Sequence, residues 1–168
     1  GFDHWQVLPG QGTYFNPQFL TPEGKIRRSG YVTRVVTEDA IEWLRDGRDP
    51  DKPFYLQIGH KAPHSQWEYE ERHAALFEGR TLPEPATLNE DLSHRTPPFE
   101  HVETTLDPGG IWKYEKGWAA RHGGPERILP EGLNQARTRG WIYQRYVKDY
   151  LRTVASIDDQ MGRLLDYL

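Results

Sequence analysis

The stretch Lys52-Pro53-Phe54-Tyr55-Leu56-Gln57-Ile58-Gly59-His60-Lys61-Ala62-Pro63-His64 decides how this chain is read. Phe54 to Ile58 is a short run rich in apolar residues, bounded by Pro53 and Gly59, and suits a strand buried on both faces as in a parallel sheet. Upstream, Val32, Val35, Val36, Ala40, Trp43 and Leu44 recur at steps of three and four, and Gly47 follows as a stop. That spacing predicts an amphipathic helix. A helix feeding such a strand is half of an α/β unit. His60 to His64 then falls directly after the strand's C-terminal end, where open α/β sheets bind their ligands.

Further out, Pro17 to Thr21 and Lys25 to Arg28 flank Pro22-Glu23-Gly24 and read as a short hairpin of polar strands. Residues 67–78, with Trp67, Tyr69 and Leu76, suggest a short helix. Gly79 to about Arg137 is irregular, with seven prolines. A connection of that length is a functional insertion or packs on parts beyond this chain. From Ala136 the helical period returns over Tyr143, Tyr146, Val147, Tyr150, Leu151, Val154, Ile157, Met161, Leu164, Leu165 and Leu168, predicting one long helix. With no initiator Met at one end and no helix stop at the other, both ends look cut.

The formal charge is −4 over 168 residues and the pI about 6.0. A surface so balanced argues against nucleic-acid and anionic-membrane partners, which need concentrated basic charge. The absence of cysteine removes disulfides, thiolate metal sites and cysteine nucleophiles together. No run approaches the ~20 apolar residues of a membrane span.

Two imidazoles and an ammonium lie within His60-Lys61-Ala62-Pro63-His64, and Pro63 stiffens the turn that presents His64. Such a cluster suits an anion, with Lys61 as a point charge and an imidazole as hydrogen-bond donor or general acid. A solvated basic turn with one packed histidine explains the same residues, and spacing does not separate the two. Zinc is disfavoured, because two histidines four apart need a helix to align them and Pro63 opposes one. Asp158 and Asp159 point about 100° apart on a helix and read as a solvated face, not a paired-carboxylate site. Arg27-Arg28 and Glu70-Glu71-Arg72 read as surface charge. Trp112, Tyr114, Trp118 and Trp141 suit sugar stacking or packing equally.

Four segments in order now resemble a known family: Gly1-Phe2-Asp3-His4-Trp5; Gly30 to Thr33 with Thr37 and Ala40 to Leu44; Lys52-Pro53-Phe54 leading to Ala62-Pro63-His64; and Tyr150 to Arg152 through Ile157-Asp158 and Gly162 to Leu165. Together they resemble the middle of a type I, formylglycine-dependent sulfatase of the alkaline phosphatase superfamily. The wording around His60 to His64, with Pro83-Glu84-Pro85, looks most like bacterial sulfatases acting on sulfated carbohydrates. The resemblance implies an α/β class: a partial alkaline-phosphatase-like sulfatase fold, mostly parallel sheet with flanking helices, truncated at both ends. It divides the chain into a turn-rich hairpin region (1–30), a helix, strand and His turn (31–66), an irregular substrate-side insertion (67–135) and a long helix (136–168).

For the intact enzyme the resemblance implies sulfate-ester hydrolysis. A Cys or Ser within C/S-x-P/A-x-R becomes the formylglycine nucleophile, and calcium with basic residues holds the sulfate. His64 then corresponds to the histidine that protonates the leaving alcohol, and Lys61 and His60 to substrate contacts. No C/S-x-P/A-x-R motif occurs in the 168 residues, and no family calcium ligand falls within them. The chain alone is therefore expected to be inactive and to bind no calcium, and its exposed strand edges favour self-association. A non-catalytic sulfated-sugar or anion-binding module, and a phosphoryl- or phosphonate-ester hydrolase of the same superfamily, are the alternatives. Intact family members are often periplasmic, secreted or lysosomal, which leaves localisation open.

Overall fold

Pro22 presets the φ angle of a tight reversal, and the chain turns through Pro22-Glu23 to pair β1 (Gln18–Thr21) with β2 (Gly24–Arg27) antiparallel, Phe19 opposite Ile26. Gly24 adopts φ +126°, a backbone that residues with a side chain rarely take. Of the paired residues only Phe19 is fully buried; β2 lies exposed along its length. These elements belong to a computed structural model that describes residues 1–91, 93–95, 105–107, 110 and 128–168. Trp112, Tyr114 and Trp118 lie outside the described residues.

The chain divides into two units, the first comprising Gly1–His64, Tyr69–His73 and Thr153–Leu168. Its core is the cluster Tyr14, Phe19, Tyr31, Val32, Val35 and Ala62, with Leu8, Phe15, Val36 and Ile157 packed against it. Helix α1 (Val32–Glu42) supplies the valines. It has no side-chain N-cap, and Tyr14 O instead accepts from the first helical amide, Val32 N, at 2.7 Å. The helix widens into a π turn over Trp43–Gly47. A Cβ at Gly47 would stand 2.6 Å from Trp43 Cδ1, so any larger residue there would force the indole to shift. Asp39, buried on α1, pairs with Arg28 Nη1 at 2.5 Å and accepts from Gln6 Nε2. Burial still holds its carboxyl above the ordinary carboxylate range. Arg28 is therefore one half of a charge pair with a buried residue, not a purely solvated surface charge.

The buried strand expected at Phe54 to Ile58 does not form. Residues 53–60 join no ladder, and Phe54 and Tyr55 are 46% and 72% exposed. Burial alternates at Leu56, Ile58 and His60, the period of an extended chain covered on one side. A strand exists only where neighbours take its backbone groups, and the described residues place none beside this segment. Among the described residues the only sheet is the antiparallel β1–β2 pair.

The short helix expected over residues 67–78 is also absent; only Glu71–His73 make a 3-10 turn. Trp67 and Phe77 bracket it with φ of +42° and +65°, which no right-handed helix accommodates.

Helix α2 (Gln135–Tyr167) runs for 33 residues, about 50 Å at the helical rise. Asn134 caps it, Oδ1 accepting from Arg137 N at 3.0 Å. Its buried face holds Leu164 and Ile142 and is more polar than the apolar pattern of the sequence. Asp149, Arg152, Thr153, Ser156 and Gln160 are buried, whereas Met161, Leu165 and Leu168 are exposed. The buried polar groups are satisfied locally. Arg152 Nη1 donates to Asp149 Oδ1 at 2.7 Å, and Arg163 Nη1 to Gln160 Oε1 at 2.7 Å.

The second unit comprises Ser65–Glu68 and Ala74–Arg152. There α2 side chains hold irregular backbone. Gln144 brackets Leu82, accepting from its N at 2.9 Å and donating to its O at 2.8 Å. The Tyr143 hydroxyl donates to Pro83 O at 2.8 Å, and Arg152 Nε to Leu76 O at 3.0 Å. Trp67 meets Tyr146 edge-on at 4.7 Å.

Phe19→Ala empties the centre of the first unit's core and is expected to cost about 3–5 kcal/mol. Chemical denaturation followed by circular dichroism measures this. A loss below about 1 kcal/mol would show that the cluster is not the stabilising core.

Candidate functional site

Ala62 is 5% exposed and forms part of the first unit's core, so the residues on either side of it are held against that core. Lys61 O accepts from His64 N at 2.9 Å and closes the turn. Beside it opens a cavity of about 510 Å³, lined by Gly59 to His64 on one side and by Leu8, Gly10 and Gln11 on the other. His60, Lys61 and His64, the three residues singled out in the sequence, thus share one cavity wall.

Their environments differ. The Lys61 ammonium donates to Gln11 O at 2.9 Å and stands 4.9 Å over the centre of the Tyr14 ring, which fixes the position of its charge. His64 projects where it is exposed, and its carbonyl accepts from the buried Tyr14 hydroxyl at 2.5 Å. Both ring nitrogens of His60 are buried and have no hydrogen-bond partner. Burial holds its pKa below the ordinary histidine value, leaving a neutral imidazole with unspent donor and acceptor capacity. Tyr14 and Gln11 were not singled out from the sequence. They lie some fifty positions from the turn, and no spacing signals that approach.

A second cavity, about 420 Å³, is lined by Phe2, Trp5, Trp43, Tyr55 and Ile58 among others. Its aromatic rings pack on one another, Phe2 on Tyr55 and His4 on Trp43, each at 6.2 Å.

Asp159 is exposed, as expected of a solvated face, and also accepts from His73 Nε2 at 2.9 Å and pairs with Arg72 Nη2 at 3.0 Å. A carboxylate only accepts, so Nε2 carries a proton, and Nδ1 lies 3.1 Å from the Ser156 hydroxyl. The order Ser156, His73, Asp159 copies a nucleophilic triad, yet Ser156 is 0% exposed and no substrate reaches it. Arg72 also pairs with Glu70, at 2.6 Å, so this charged run is a local clamp.

Among the described residues no three His, Asp or Glu side chains gather as a metal site. The calcium that the family resemblance implies finds no fitting ligand set among them. No helix among the described residues is long and apolar enough to cross a membrane.

The family model for sulfatases matches residues 1–168. The chain belongs to the sulfatase family. It is 32% identical over 203 aligned positions to an N-acetylglucosamine-6-O-sulfatase of Bacteroides thetaiotaomicron, across 100% of this chain and 36% of that protein. The human N-acetylglucosamine-6-sulfatase is 27% identical over 95 positions, 53% of this chain and 17% of its own length. Among solved structures, that of BT4656 in complex with its substrate D-glucosamine-2-N,6-O-disulfate superposes with a TM-score of 0.80 at 31% identity, covering 99% of this chain and 40% of that one. The chain therefore spans little more than a third of the relatives it matches end to end.

The depressed pKa of His60 has a signed consequence for stability. A histidine whose folded pKa lies below its unfolded value contributes stability that is fully present above the unfolded value and is lost as pH falls through the folded one. The melting temperature is expected to fall as pH drops from about 7 to about 5, and His60→Gln to flatten that fall. An unchanged slope in the variant would assign the effect to other groups.

Proposed function

We propose that this chain is part of a sulfatase that hydrolyses sulfate esters of sulfated carbohydrates, with the His60 to His64 turn holding the ester. In this reading Lys61 faces the sulfate as a fixed positive charge, and His60 donates from its neutral ring to a sulfate oxygen. His64 protonates the leaving alcohol oxygen as the S–O bond breaks. The observation that carries the proposal is the pair of buried, unpartnered nitrogens on His60, beside a fixed ammonium and an exposed imidazole at one open cavity. Buried polar atoms without partners cost free energy, and a sulfate oxygen accepting from the protonated His60 nitrogen would remove the donor's part of that cost.

Formylglycine, the nucleophile of the family, needs a motif that these 168 residues do not contain. The isolated chain is accordingly proposed to bind sulfated sugar without turning it over. The unpaired segment 53–60 is proposed to enter a mostly parallel sheet in a complete sulfatase domain, and residues 67–135 to form its substrate-side insertion.

D-Glucosamine 6-sulfate titrated into the chain by calorimetry tests the reading. Lys61→Ala and His64→Ala are each expected to weaken binding about tenfold to a hundredfold, the range of a charge-assisted hydrogen bond. Unsulfated glucosamine is expected not to compete. Equal binding of the two sugars, or unaltered affinity in both variants, would sink the proposal.

A further inference from the structure

We infer that Tyr14 is a positioning residue for sulfate-ester recognition, setting the geometry of both Lys61 and His64 from beneath the turn; this rests on the function proposed above. Tyr14 is 2% exposed and lines neither of the two cavities described above, so it acts on the turn from within the core. Its two ends nevertheless meet the two groups assigned to the sulfate and the leaving group. The hydroxyl donates to His64 O at 2.5 Å, and the ring face lies 4.9 Å beneath the Lys61 ammonium.

A residue positions others only if it is itself held. The Tyr14 carbonyl accepts from Val32 N at the start of α1, and its ring stacks on Tyr31 at 5.9 Å and 24°. Both anchors belong to the best-buried part of the first unit. Tyr14 thus connects a helix terminus to a turn that has no ladder or helix of its own to hold it. A buried phenol needs an acceptor somewhere, and here that acceptor is the main chain of the residue assigned as general acid. Fixing that carbonyl fixes the peptide plane from which the His64 side chain departs. The ring face adds attraction for the ammonium where Gln11 O already holds it, so the charge sits at one place before any ligand arrives.

Two variants separate these contacts. Tyr14→Phe keeps the ring and removes only the hydroxyl, while Tyr14→Leu removes both. In the ligand-free chain, Tyr14→Phe is expected to raise amide hydrogen exchange at His64 about tenfold and leave the exchange of α1 unchanged. Affinity for D-glucosamine 6-sulfate is expected to fall about tenfold, and further in Tyr14→Leu, where the Lys61 side-chain resonances also shift. In the full-length protein, Tyr14→Phe is expected to slow hydrolysis of an alkyl sulfate more than that of 4-nitrophenyl sulfate, whose leaving group needs no proton. A purely structural role would slow both alike. Without any substitution, a solvent isotope shift on the Tyr14 ¹³Cζ resonance reports whether the hydroxyl proton exchanges slowly, as a bonded one must. Rapid exchange there, or His64 exchange and sugar affinity unaltered in Tyr14→Phe, overturns the inference. If the wild-type chain binds no sulfated sugar while Tyr14→Phe still loosens the turn, the sulfate assignment fails and the positioning contact stands.

Discussion

The cluster of Tyr14, Phe19, Tyr31, Val32, Val35 and Ala62 is the constraint on which the first unit depends. Burial of each large side chain is worth about 1.5–3 kcal/mol, but the cluster's importance is geometric as well as energetic. The turn from His60 to His64 has no repeating hydrogen bonds, so its shape comes from what it leans on. Ala62 leans on the cluster directly, and His64 is tied to it through the Tyr14 hydroxyl. The same Tyr14 carbonyl receives the first amide of α1. Helix entry and the His60 to His64 turn therefore rest on one residue.

Several buried polar side chains of the described residues are paired. Asp39 has Arg28 and Gln6, His73 has Asp159 and Ser156, and Asp149 has Arg152. Folded proteins leave few buried polar atoms unmatched; those here include the Thr33 hydroxyl and both ring nitrogens of His60, and of the two residues it is His60 that lines the cavity at the basic turn. His60 shares that cavity wall with Lys61 and His64. A Ser–His–Asp order on α2 and its neighbouring turn, chemically more suggestive on paper, fails the simpler requirement of access.

Much was legible before any coordinates. The period of three and four over Val32 to Leu44 marked α1, the return of that period after Ala136 marked α2, and Pro22-Glu23-Gly24 marked the hairpin. The basic turn was legible from residue types alone. What failed did so for identifiable reasons. Phe54 to Ile58 has strand composition, yet a strand requires a neighbour and composition does not show whether one is present. Trp67 and Phe77 carry positive φ, which side-chain chemistry does not announce. On α2 the apolar pattern includes the buried Leu164, but the polar residues buried as well were not legible, because ion pairs and hydrogen bonds made their burial tolerable.

Local order, the reversal at Pro22 and the chemical character of the His60 to His64 turn are all consequences of short-range pattern, since helix periodicity, proline stiffness and side-chain charge act within a few residues. Family membership follows from the full-length match of that pattern. Residues fifty positions apart meet for a different reason. Tyr14 beneath His64, and Gln11 against Lys61, come together because the hydrophobic cluster folds both segments onto α1. Burial, which strips His60 of water without giving it a partner, is likewise a property of packing that no residue carries alone.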